Sequence, residues 1–360
     1  MKKVHNFSAG PCILPQEVLK KASEAVVNFD DLNLSLIEIS HRSKNVVAVM
    51  EKAQNLVREL LNVPANYEIL FLQGGASLGF YTAALNYLSK DGKAVYVNTG
   101  TWAKKAIKEA KLVGNIEVVA SSEDDGFKYI PKGFNIPADA DFLHITTNNT
   151  IYGTQYPEIP KSPVPIIADM SSDIFSRPVN VSDYAMIYAG AQKNMGPAGT
   201  TLFIVNKDLL GKTGRTIPSM LDYQLHIDKE SMYNTPPVFP IYVSMLTLDW
   251  LKNLGGVPAI EKINAEKAAA MYAEIDRNPL FVGYTAVEDR SKMNATFNLV
   301  DDTHKELFDS MWKEAGISGI NGHRSVGGYR ASMYNALPLE SVQALVKVMQ
   351  EFEEKVSVKA

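Results

Sequence analysis

Short apolar runs alternate with helical stretches through the first two thirds of the chain, and this alternation restricts the fold more than any other feature. The runs with the length and composition of β-strands are 68–72, 94–98, 116–120, 142–146, 164–169, 184–189 and 201–205. Helical periodicity covers 45–62, 77–88 and 102–113. Because the runs are apolar on both faces, they predict strands that are covered on both sides. We therefore expect an α/β layer with a mainly parallel central sheet.

The pattern changes after about residue 240, where helices become longer and strands fewer. Helices are expected at 240–254, 257–276, 303–315 and 339–355, and strands at 294–300 and 327–335. This order predicts a smaller α+β domain at the C-terminal end. We expect a large domain over residues 16–255 and a small domain that combines residues 1–15 with 256–360.

Composition and charge exclude several classes of protein. The 360 residues are 46% hydrophobic and 21% charged, as in an ordinary globular protein. A net charge of −4 argues against a nucleic-acid binder with a broad basic face. Cys12 is the single cysteine, which rules out an intrachain disulfide and a cysteine-rich metal site. The first residues have no apolar signal region, and no apolar run approaches the roughly 20 residues of a membrane-spanning helix. We expect a cytoplasmic protein without a metal, membrane or nucleic-acid partner.

Asp169 ends one of the predicted strands, and Lys193 lies in the segment that follows another. Ligands of parallel sheets bind beyond the carboxyl ends of strands, so both side chains are expected in one crevice. A lysine amine can bond to an aldehyde, and a carboxylate can hold a protonated pyridine nitrogen. A single lysine in a loop is more often a solvated surface residue. The aspartate–strand–lysine order and the flanking glycines favour instead a site for pyridoxal 5'-phosphate (PLP), with Lys193 as covalent anchor and proton carrier.

Three further strand ends carry residues that suit such a cofactor. The turn 73–79 is rich in small residues and leads into a helix, whose N-terminus can bind a phosphate. A tight turn with Ser77 as N-cap explains the same residues without a ligand. Trp102 can stack on a pyridine ring or simply fill the core. Thr150 can donate a hydroxyl hydrogen bond or belong to an ordinary polar turn.

Basic side chains are concentrated in two short segments that share the tripeptide His-Arg-Ser. The segments contain His41 and Arg42, and His323 and Arg324, with Arg330 after the second. Arginine binds carboxylate and phosphate with a planar fork, and the chain has only eight arginines. Scattered surface charge is the alternative. The glycines around the second segment favour a loop that binds an anion.

Six ordered motifs together resemble the phosphoserine aminotransferases, which are class V aminotransferases of PLP fold type I. The motifs are 6–11 (NFSAGP), 40–43 (SHRS), 73–77 (QGGAS), 190–194 (GAQKN), 233–237 (YNTPP) and 322–330 (GHRSVGGYR). They extend over almost the whole chain. The resemblance implies the PLP-dependent transferase fold type I, and a homodimer with active sites at the subunit interface.

The resemblance also implies roles for individual residues. Lys193 would carry PLP, Asp169 would pair with the ring nitrogen, and Trp102 would stack on the ring. The residues implied to contact the rest of the cofactor are Ala76, Ser77, Thr150, Gln192 and, from the other subunit, Asn234 and Thr235. The residues implied to bind the substrate's phosphate and carboxylates are Ser8, His41, Arg42, His323, Arg324 and Arg330. Some members have an arginine where this chain has Ser77, which removes one contact to the substrate phosphate.

The expected reaction is transfer of the amino group of L-glutamate to 3-phosphohydroxypyruvate, which yields O-phospho-L-serine and 2-oxoglutarate. The corresponding 4-phosphohydroxythreonine pair of vitamin B6 synthesis is a second expected substrate pair. Another class V enzyme, such as an alanine–glyoxylate transaminase, is the nearest alternative. A cysteine desulfurase is disfavoured, because Cys12 lies far along the chain from the C-terminal loops. A non-catalytic PLP- or nucleotide-binding regulator is the alternative from a different class.

Overall fold

The computed structural model describes residues 3–358. Its strands are β1 His5–Asn6, β2 Tyr67–Leu72, β3 Lys93–Asn98, β4 Asn115–Ser121, β5 Leu143–Thr146, β6 Asn148–Asn149, β7 Thr154–Gln155, β8 Ile166–Asp169, β9 Met186–Gly190, β10 Thr201–Asn206, β11 Phe281–Gly283, β12 Asn294–Leu299, β13 Ile317–Ser318 and β14 Tyr329–Ser332. Its helices are α1 Gln16–Val27, α2 Lys44–Leu60, α3 Gly75–Tyr87, α4 Thr101–Ala110, α5 Tyr223–Asp228, α6 Val238–Asn253, α7 Gly256–Arg277, α8 Lys305–Glu314 and α9 Leu339–Ser357. The expected small domain includes residues 1–2 and 359–360, which lie outside the described residues.

The large sheet has the strand order β2-β10-β9-β8-β5-β3-β4. Neighbouring strands from β9 to β4 are parallel, whereas β10 is antiparallel to both β9 and β2. The expected α/β layer with a mainly parallel sheet is therefore confirmed. The segment between β9 and β10 contains no helix and is too short for a parallel crossover, so the chain returns in the opposite direction.

Successive residues of the central strands enter two different hydrophobic cores. Ile187 of β9 packs in the core that includes buried residues of α2 and α6. Its neighbour Tyr188 packs in the core that includes α3 and α4. Gly79 permits the close approach of α3, because a Cβ atom there would lie 3.1 Å from the Tyr188 ring. The central strands of the sheet are thus covered on both faces, which explains why they are mostly apolar, whereas the edge strand β4 is largely exposed.

A second, smaller core lies around the antiparallel sheet β11-β12-β14. Three aromatic rings, Phe281, Phe308 and Phe352, pack together with centroids 5.1 to 5.8 Å apart. Phe7 is fully buried in the same core, and β1 pairs in parallel with β13. The first described residues therefore pack with the C-terminal part of the chain.

These cores support a division of the chain at residue 255, which we retain as a proposal. Gly255 and Gly256 have φ values of 107° and 73°, and they turn the chain into α7. The helix then contributes to both cores, with Val257 in the core beside α2 and Met271 in the small core. The proposed boundary thus coincides with the start of a helix that contributes to both cores.

Helix α2 shows how the surface helices separate apolar from charged residues. Val46, Met50 and Val57 are buried, whereas Lys52 and Glu59 are exposed. This spacing produced the helical periodicity seen in the sequence. Among residues 3–358, no helix is sufficiently long and apolar to cross a membrane.

The sequence prediction missed elements whose apolar signal is weak. Helix α1 has only Val18, Ala22 and Ala25 as buried residues, so its apolar stripe is narrow. The two-residue strands β1, β6, β7 and β13 are too short to show a period. The strand expected at 327–335 is shorter than expected, because Gly327 and Gly328 have φ values of 77° and 59° and lie in a loop.

Lys267 of α7 is a fully buried lysine that fixes the segment after β14. Its Nζ donates hydrogen bonds to the carbonyl oxygens of Met333, Tyr334 and Leu337 at 2.9, 2.8 and 3.1 Å. Burial lowers the pKa of Lys267 to about 7. A structural role follows, since all three acceptors are main-chain atoms.

We predict that Lys267→Met destabilises the protein, because three buried carbonyl groups lose their donor. The expected loss in the free energy of unfolding is about 2–4 kcal/mol, measured by chemical denaturation. The matched control is Lys262→Met, which removes an exposed lysine of the same helix and should change stability by less than about 0.5 kcal/mol. Equal effects of the two substitutions would contradict the assignment.

Candidate active site

Loops from several strands meet at one edge of the large sheet, because the strand ends are in register. Leu72, Thr201 and Gly190 lie side by side across β2, β10 and β9. Asp169 at the end of β8 lies beside Thr146 at the end of β5. The loops that contain the predicted site residues therefore start from a common edge.

Lys193 lies in the loop after β9 and is only 9% exposed. Its Nζ donates a hydrogen bond to Thr150 Oγ1 at 2.8 Å. Burial lowers the pKa of Lys193 to about 8, while the negative charge of Asp169 acts in the opposite direction. An amine with this pKa is neutral in about a tenth of molecules at pH 7, far more than an ordinary lysine, and a nucleophile or base requires the neutral form.

Asp169 is buried and held by Ser171. Its Oδ1 accepts hydrogen bonds from Ser171 N at 2.9 Å and from Ser171 Oγ at 2.6 Å. Ser171 Oγ in turn accepts from Gly190 N at 3.1 Å, which ties the ends of β8 and β9 together. Burial raises the pKa of Asp169, and the hydrogen bonds from Ser171 lower it. Both bonds end on Oδ1, so Oδ2 can face a cationic group.

Ser171 was not predicted from the sequence. It follows Asp169 by two residues, a spacing at which a serine can bond back to an aspartate, so a local signal was present. Its role depends also on Gly190, which belongs to another strand. The pairing of β8 with β9 thus brings the serine to its second partner.

Thr150 and Trp102 lie next to Lys193. Thr150 is buried in the turn between β6 and β7. Trp102 is in the first turn of α4, and Lys193 Nζ is 5.5 Å from the centroid of its ring. Trp102 Nε1 is buried without a hydrogen-bond partner among the described residues. The structure thus brings the predicted lysine, threonine and tryptophan together.

The first turn of α3 contains Ala76 and Ser77. Gly74 is the N-cap residue with φ of 101°, and no side chain caps the helix. The alternative interpretation of Ser77 as N-cap is therefore wrong. An uncapped N-terminus leaves backbone N–H groups for an anion, which fits the phosphate-binding interpretation of this turn.

Asn234 and Thr235 contact the turn before α3 in their own chain. Gln73 Nε2 donates to the Thr235 carbonyl oxygen at 2.9 Å, and Asn234 Nδ2 donates to Gln73 Oε1 at 2.9 Å. Gln73 is exposed. The predicted contact of Asn234 and Thr235 with a cofactor in a second subunit stays a prediction.

The N-terminal segment packs against the loop of Lys193. Cys12 N donates to the Gln192 carbonyl oxygen at 3.1 Å. A Cβ atom on Gly10 would lie 3.5 Å from Lys193 Cγ, so this segment contacts the lysine stem. Ser8 is half-buried two residues earlier. Gln192 therefore belongs to the surroundings of Lys193, and Ser8 lies in the segment that packs there.

Arg330 of β14 reaches the site from the antiparallel sheet β11-β12-β14. Its Nη1 donates to the Thr150 carbonyl oxygen at 3.3 Å, while its Nε is buried without a partner among the described residues. Burial lowers the pKa of Arg330. Its positive charge contributes to lowering the pKa of Lys193. A guanidinium with a free buried N–H is suited to bind a carboxylate.

His323 and Arg324 lie in the loop before β14. Burial lowers the pKa of His323, and the charges of Arg330, Arg324 and Lys105 lower it further. His323 Nδ1 is 2.6 Å from Ser325 Oγ. The loop, Arg330 and Lys105 thus form one basic group. Lys105 was not predicted, because its position depends on the approach of α4 to the small domain.

His41 and Arg42 lie apart from this group in the chain. They precede α2, whose N-cap Ser43 accepts a hydrogen bond from Val46 N at 3.4 Å. Within residues 3–358, no hydrogen bond or ion pair connects either side chain with the surroundings of Lys193. The structure of one chain therefore does not assemble the whole predicted substrate site.

Comparison with known proteins identifies the family. The aminotransferase class-V profile matches residues 4–345. The chain belongs to the class-V aminotransferases. A phosphoserine aminotransferase of Flavobacterium johnsoniae is 62% identical over 357 residues, which cover 99% of this chain and 100% of the relative. The corresponding enzyme of Bacteroides thetaiotaomicron is 58% identical over 98% of this chain and 99% of its own. The predicted family is thus confirmed.

Solved structures of this family share the fold over almost the whole chain. Phosphoserine aminotransferase from Bacillus circulans subsp. alkalophilus has a TM-score of 0.95 and 42% identity, with 98% of this chain and 99% of that chain covered. The PLP-bound enzyme from Trichomonas vaginalis has a TM-score of 0.92 and 36% identity, with 97% and 100% covered. PLP fold type I is therefore the fold of this class-V aminotransferase.

The residues at the sheet edge fit PLP, the cofactor of the class-V aminotransferases. Lys193 supplies a buried amine of lowered pKa, and Asp169 supplies a carboxylate oxygen that Ser171 does not occupy. Trp102 offers an aromatic face, and the uncapped α3 offers a phosphate site. These groups match the aldehyde, the ring nitrogen, the ring plane and the phosphate of the cofactor.

We predict that capture of PLP by the apoenzyme accelerates as the pH rises, because only the neutral amine of Lys193 can bond to an aldehyde. The rate should fall roughly tenfold per pH unit below the pKa of about 8 and level off above it. Stopped-flow absorbance over a range of pH measures this profile.

Two substitutions should move the midpoint of this pH profile of PLP capture in opposite directions. Asp169→Asn removes a charge that raises the pKa of Lys193, so the midpoint should fall; Arg330→Leu removes one that lowers it, so the midpoint should rise. A capture rate independent of pH, or shifts of the same sign, would contradict this electrostatic account.

Proposed function

We propose that this chain transfers the amino group of L-glutamate to 3-phosphohydroxypyruvate and so forms O-phospho-L-serine and 2-oxoglutarate, a step of serine biosynthesis. The observation that carries the proposal is the buried pair of Lys193 and Asp169 beside a basic group. The relatives at 58% to 63% identity are named phosphoserine aminotransferases, which agrees with it. We extend the proposal to 4-phosphohydroxythreonine and its keto acid, the substrate pair of pyridoxine biosynthesis, because this keto acid is also phosphorylated.

The proposed roles of the cofactor residues follow from their positions. Lys193 holds PLP covalently, Asp169 pairs with the ring nitrogen and Trp102 covers the ring. The residues proposed to complete the cofactor site are Ala76, Ser77, Thr150, Gln192, Asn234 and Thr235. Bound PLP supplies an electron sink, which allows a proton to leave the α-carbon of an amino acid.

Lys193 is the proposed proton carrier of both half-reactions. When glutamate occupies the site, the free amine of Lys193 removes the proton from the α-carbon of the amino donor. In the second half-reaction it returns a proton to the corresponding carbon of the acceptor. The hydrogen bond to Thr150 orients Nζ, and burial keeps its pKa at about 8, near the operating pH.

Substrate recognition is proposed to use the basic side chains. Arg330 binds the α-carboxylate, since its free Nε lies in the buried part of the site. The residues proposed to bind the remaining anionic groups are Ser8, His41, Arg42, His323 and Arg324. Ser77 carries no charge, so the substrate phosphate depends on these side chains.

We predict that Lys193→Ala abolishes turnover. Wild-type enzyme should lose its yellow absorbance when glutamate is added, and turnover with 3-phosphohydroxypyruvate should follow in a coupled assay. Lys212→Ala, which removes an exposed lysine of another loop, is the control and should retain activity. Arg324→Ala should lower kcat/KM for the phosphorylated acid roughly tenfold or more without loss of PLP.

The same measurements separate the alternative functions. A regulator would bind PLP but show no spectral change with glutamate. A transaminase of the alanine–glyoxylate type would turn over unphosphorylated acids equally well. Activity that survives Lys193→Ala would contradict the proposed function.

We also propose a homodimer in which each subunit completes the site of the other. The support is that His41 and Arg42 make no hydrogen bond or ion pair with the Lys193 surroundings within residues 3–358, although they resemble the second His-Arg-Ser segment. A cytoplasmic location is part of the proposal as well, because a protein with one cysteine suits a reducing compartment.

Mixed dimers of Lys193→Ala and Arg42→Ala subunits test the shared site. If Arg42 serves the site of its partner, each heterodimer contains one intact site and one site that lacks both residues. Random assembly from equal amounts should then restore about one quarter of wild-type activity, measured at limiting 3-phosphohydroxypyruvate after coexpression. Both parent variants alone should stay nearly inactive, and absence of recovery would place Arg42 in the site of its own chain.

A further inference from the structure

Helix α4 carries a lysine, Lys105, that lies over the indole ring of Trp102. Lys105 Nζ is 4.5 Å from the ring centroid, and Lys193 Nζ is 5.5 Å from the same centroid. The two ammonium nitrogens are therefore separated by no more than the sum of these distances. Lys105 is one helical turn after Trp102, so the first turns of α4 contribute both an aromatic ring and a cation.

The charge of Lys105 acts on the loop of the small domain. Lys105, Arg324 and Arg330 all contribute to lowering the pKa of His323. Lys105 belongs to α4, which packs beside the large sheet. His323, Arg324 and Arg330 lie in β14 or in the loop before it. Positive charges from two parts of the fold thus act on the same histidine, and like charges repel one another. An anion between them removes this repulsion.

Lys105 also differs from its neighbour in its ion pairing. Lys104 forms an ion pair with Glu123, whose pKa is lowered by that contact. For Lys105, no ion pair or hydrogen bond exists among residues 3–358, and its one aromatic contact is with Trp102. An exposed ammonium over an aromatic face retains hydrogen-bond donors for a ligand.

We propose that Lys105 is a specificity-determining residue that binds the phosphate of the phosphorylated keto acid. The inference rests on the proposed function. In 3-phosphohydroxypyruvate, the phosphorus follows the reacting carbon by one methylene group and one ester oxygen. A substrate whose keto carbon lies at Lys193 and whose carboxylate lies at Arg330 therefore extends its phosphate by a short distance only. Lys105 Nζ lies within about 10 Å of Lys193 Nζ, the sum of the two distances to the Trp102 centroid, and its charge acts on His323.

Lys105→Met tests the proposal in the holoenzyme, because methionine keeps the length and apolar stem of the side chain but lacks the charge. The measured quantity is the ratio of kcat/KM for 3-phosphohydroxypyruvate to kcat/KM for hydroxypyruvate, with glutamate as donor. This ratio should fall roughly tenfold in Lys105→Met, as expected for one lost charge-assisted hydrogen bond. Lys105→Arg should retain most of it.

Lys104→Met is the matched control, since it removes an equal charge from the adjacent position of the same helix. It should leave the ratio unchanged. The role of Lys105 is overturned if Lys105→Met has the same kcat/KM ratio as wild type. It is also overturned if Lys105→Met and Lys104→Met lower this ratio equally. The wild-type measurement separates the two hypotheses: if wild type does not prefer the phosphorylated acid, the proposed function fails, and with it this inference.

A binding measurement provides a readout without turnover. Inorganic phosphate should bind the wild-type holoenzyme in calorimetric titration, and its Kd should rise roughly tenfold in Lys105→Met but not in Lys104→Met. Added salt should weaken phosphate binding more steeply in wild type than in Lys105→Met, because the variant has one positive charge fewer. Identical Kd values and salt dependence in wild type and Lys105→Met would contradict the proposal.

Discussion

The register between β8 and β9 is the constraint on which the site depends. It places Asp169 at the end of one strand beside the strand that leads to Lys193, and Ser171 fixes this arrangement through its hydrogen bonds to Asp169 and Gly190. Both charged groups are taken out of water, so each acts strongly on the protonation of the other. A shift of either strand would separate these groups. The chemistry proposed here therefore depends on main-chain pairing.

The small core holds the rest of the site in place. The N-terminal segment passes from its pairing with β13 to the loop of Lys193, and Asn335 N donates to Asn194 Oδ1 at 2.8 Å. Asn264 of α7 donates to Asn335 Oδ1 at 2.9 Å, which connects the helix between the two cores with the lysine loop. Arg330 and Lys193 share a partner, because Arg330 Nη1 donates to the Thr150 carbonyl oxygen and Lys193 Nζ donates to Thr150 Oγ1.

Most elements could be predicted because burial on two sides leaves a clear pattern. Strand β9, which contains Ile187 and Tyr188, has only apolar, aromatic and small residues, and α2 has a clean helical period. Helix α1 was missed because small alanines form most of its buried face. Among the site residues, Asp169 was found because it ends an apolar run, and Lys193 because it lies in the segment between two apolar runs. Ser171 and Lys105 were not found, because their partners are close in space and distant in sequence.

The sequence by itself determined the order of the longer strands and most helices, the lysine and the carboxylate proposed to bind the cofactor, and the family to which the six motifs belong. These features are local, since periodicity and the ends of strands depend on residues that are consecutive in the chain. Only the tertiary structure decided that β10 runs antiparallel, that the first residues join the C-terminal core, and that α4 brings Lys105 to His323. Such features depend on packing between segments that are distant in sequence. The electrostatic effects of these segments on one another depend on burial and distance, which only the folded structure fixes.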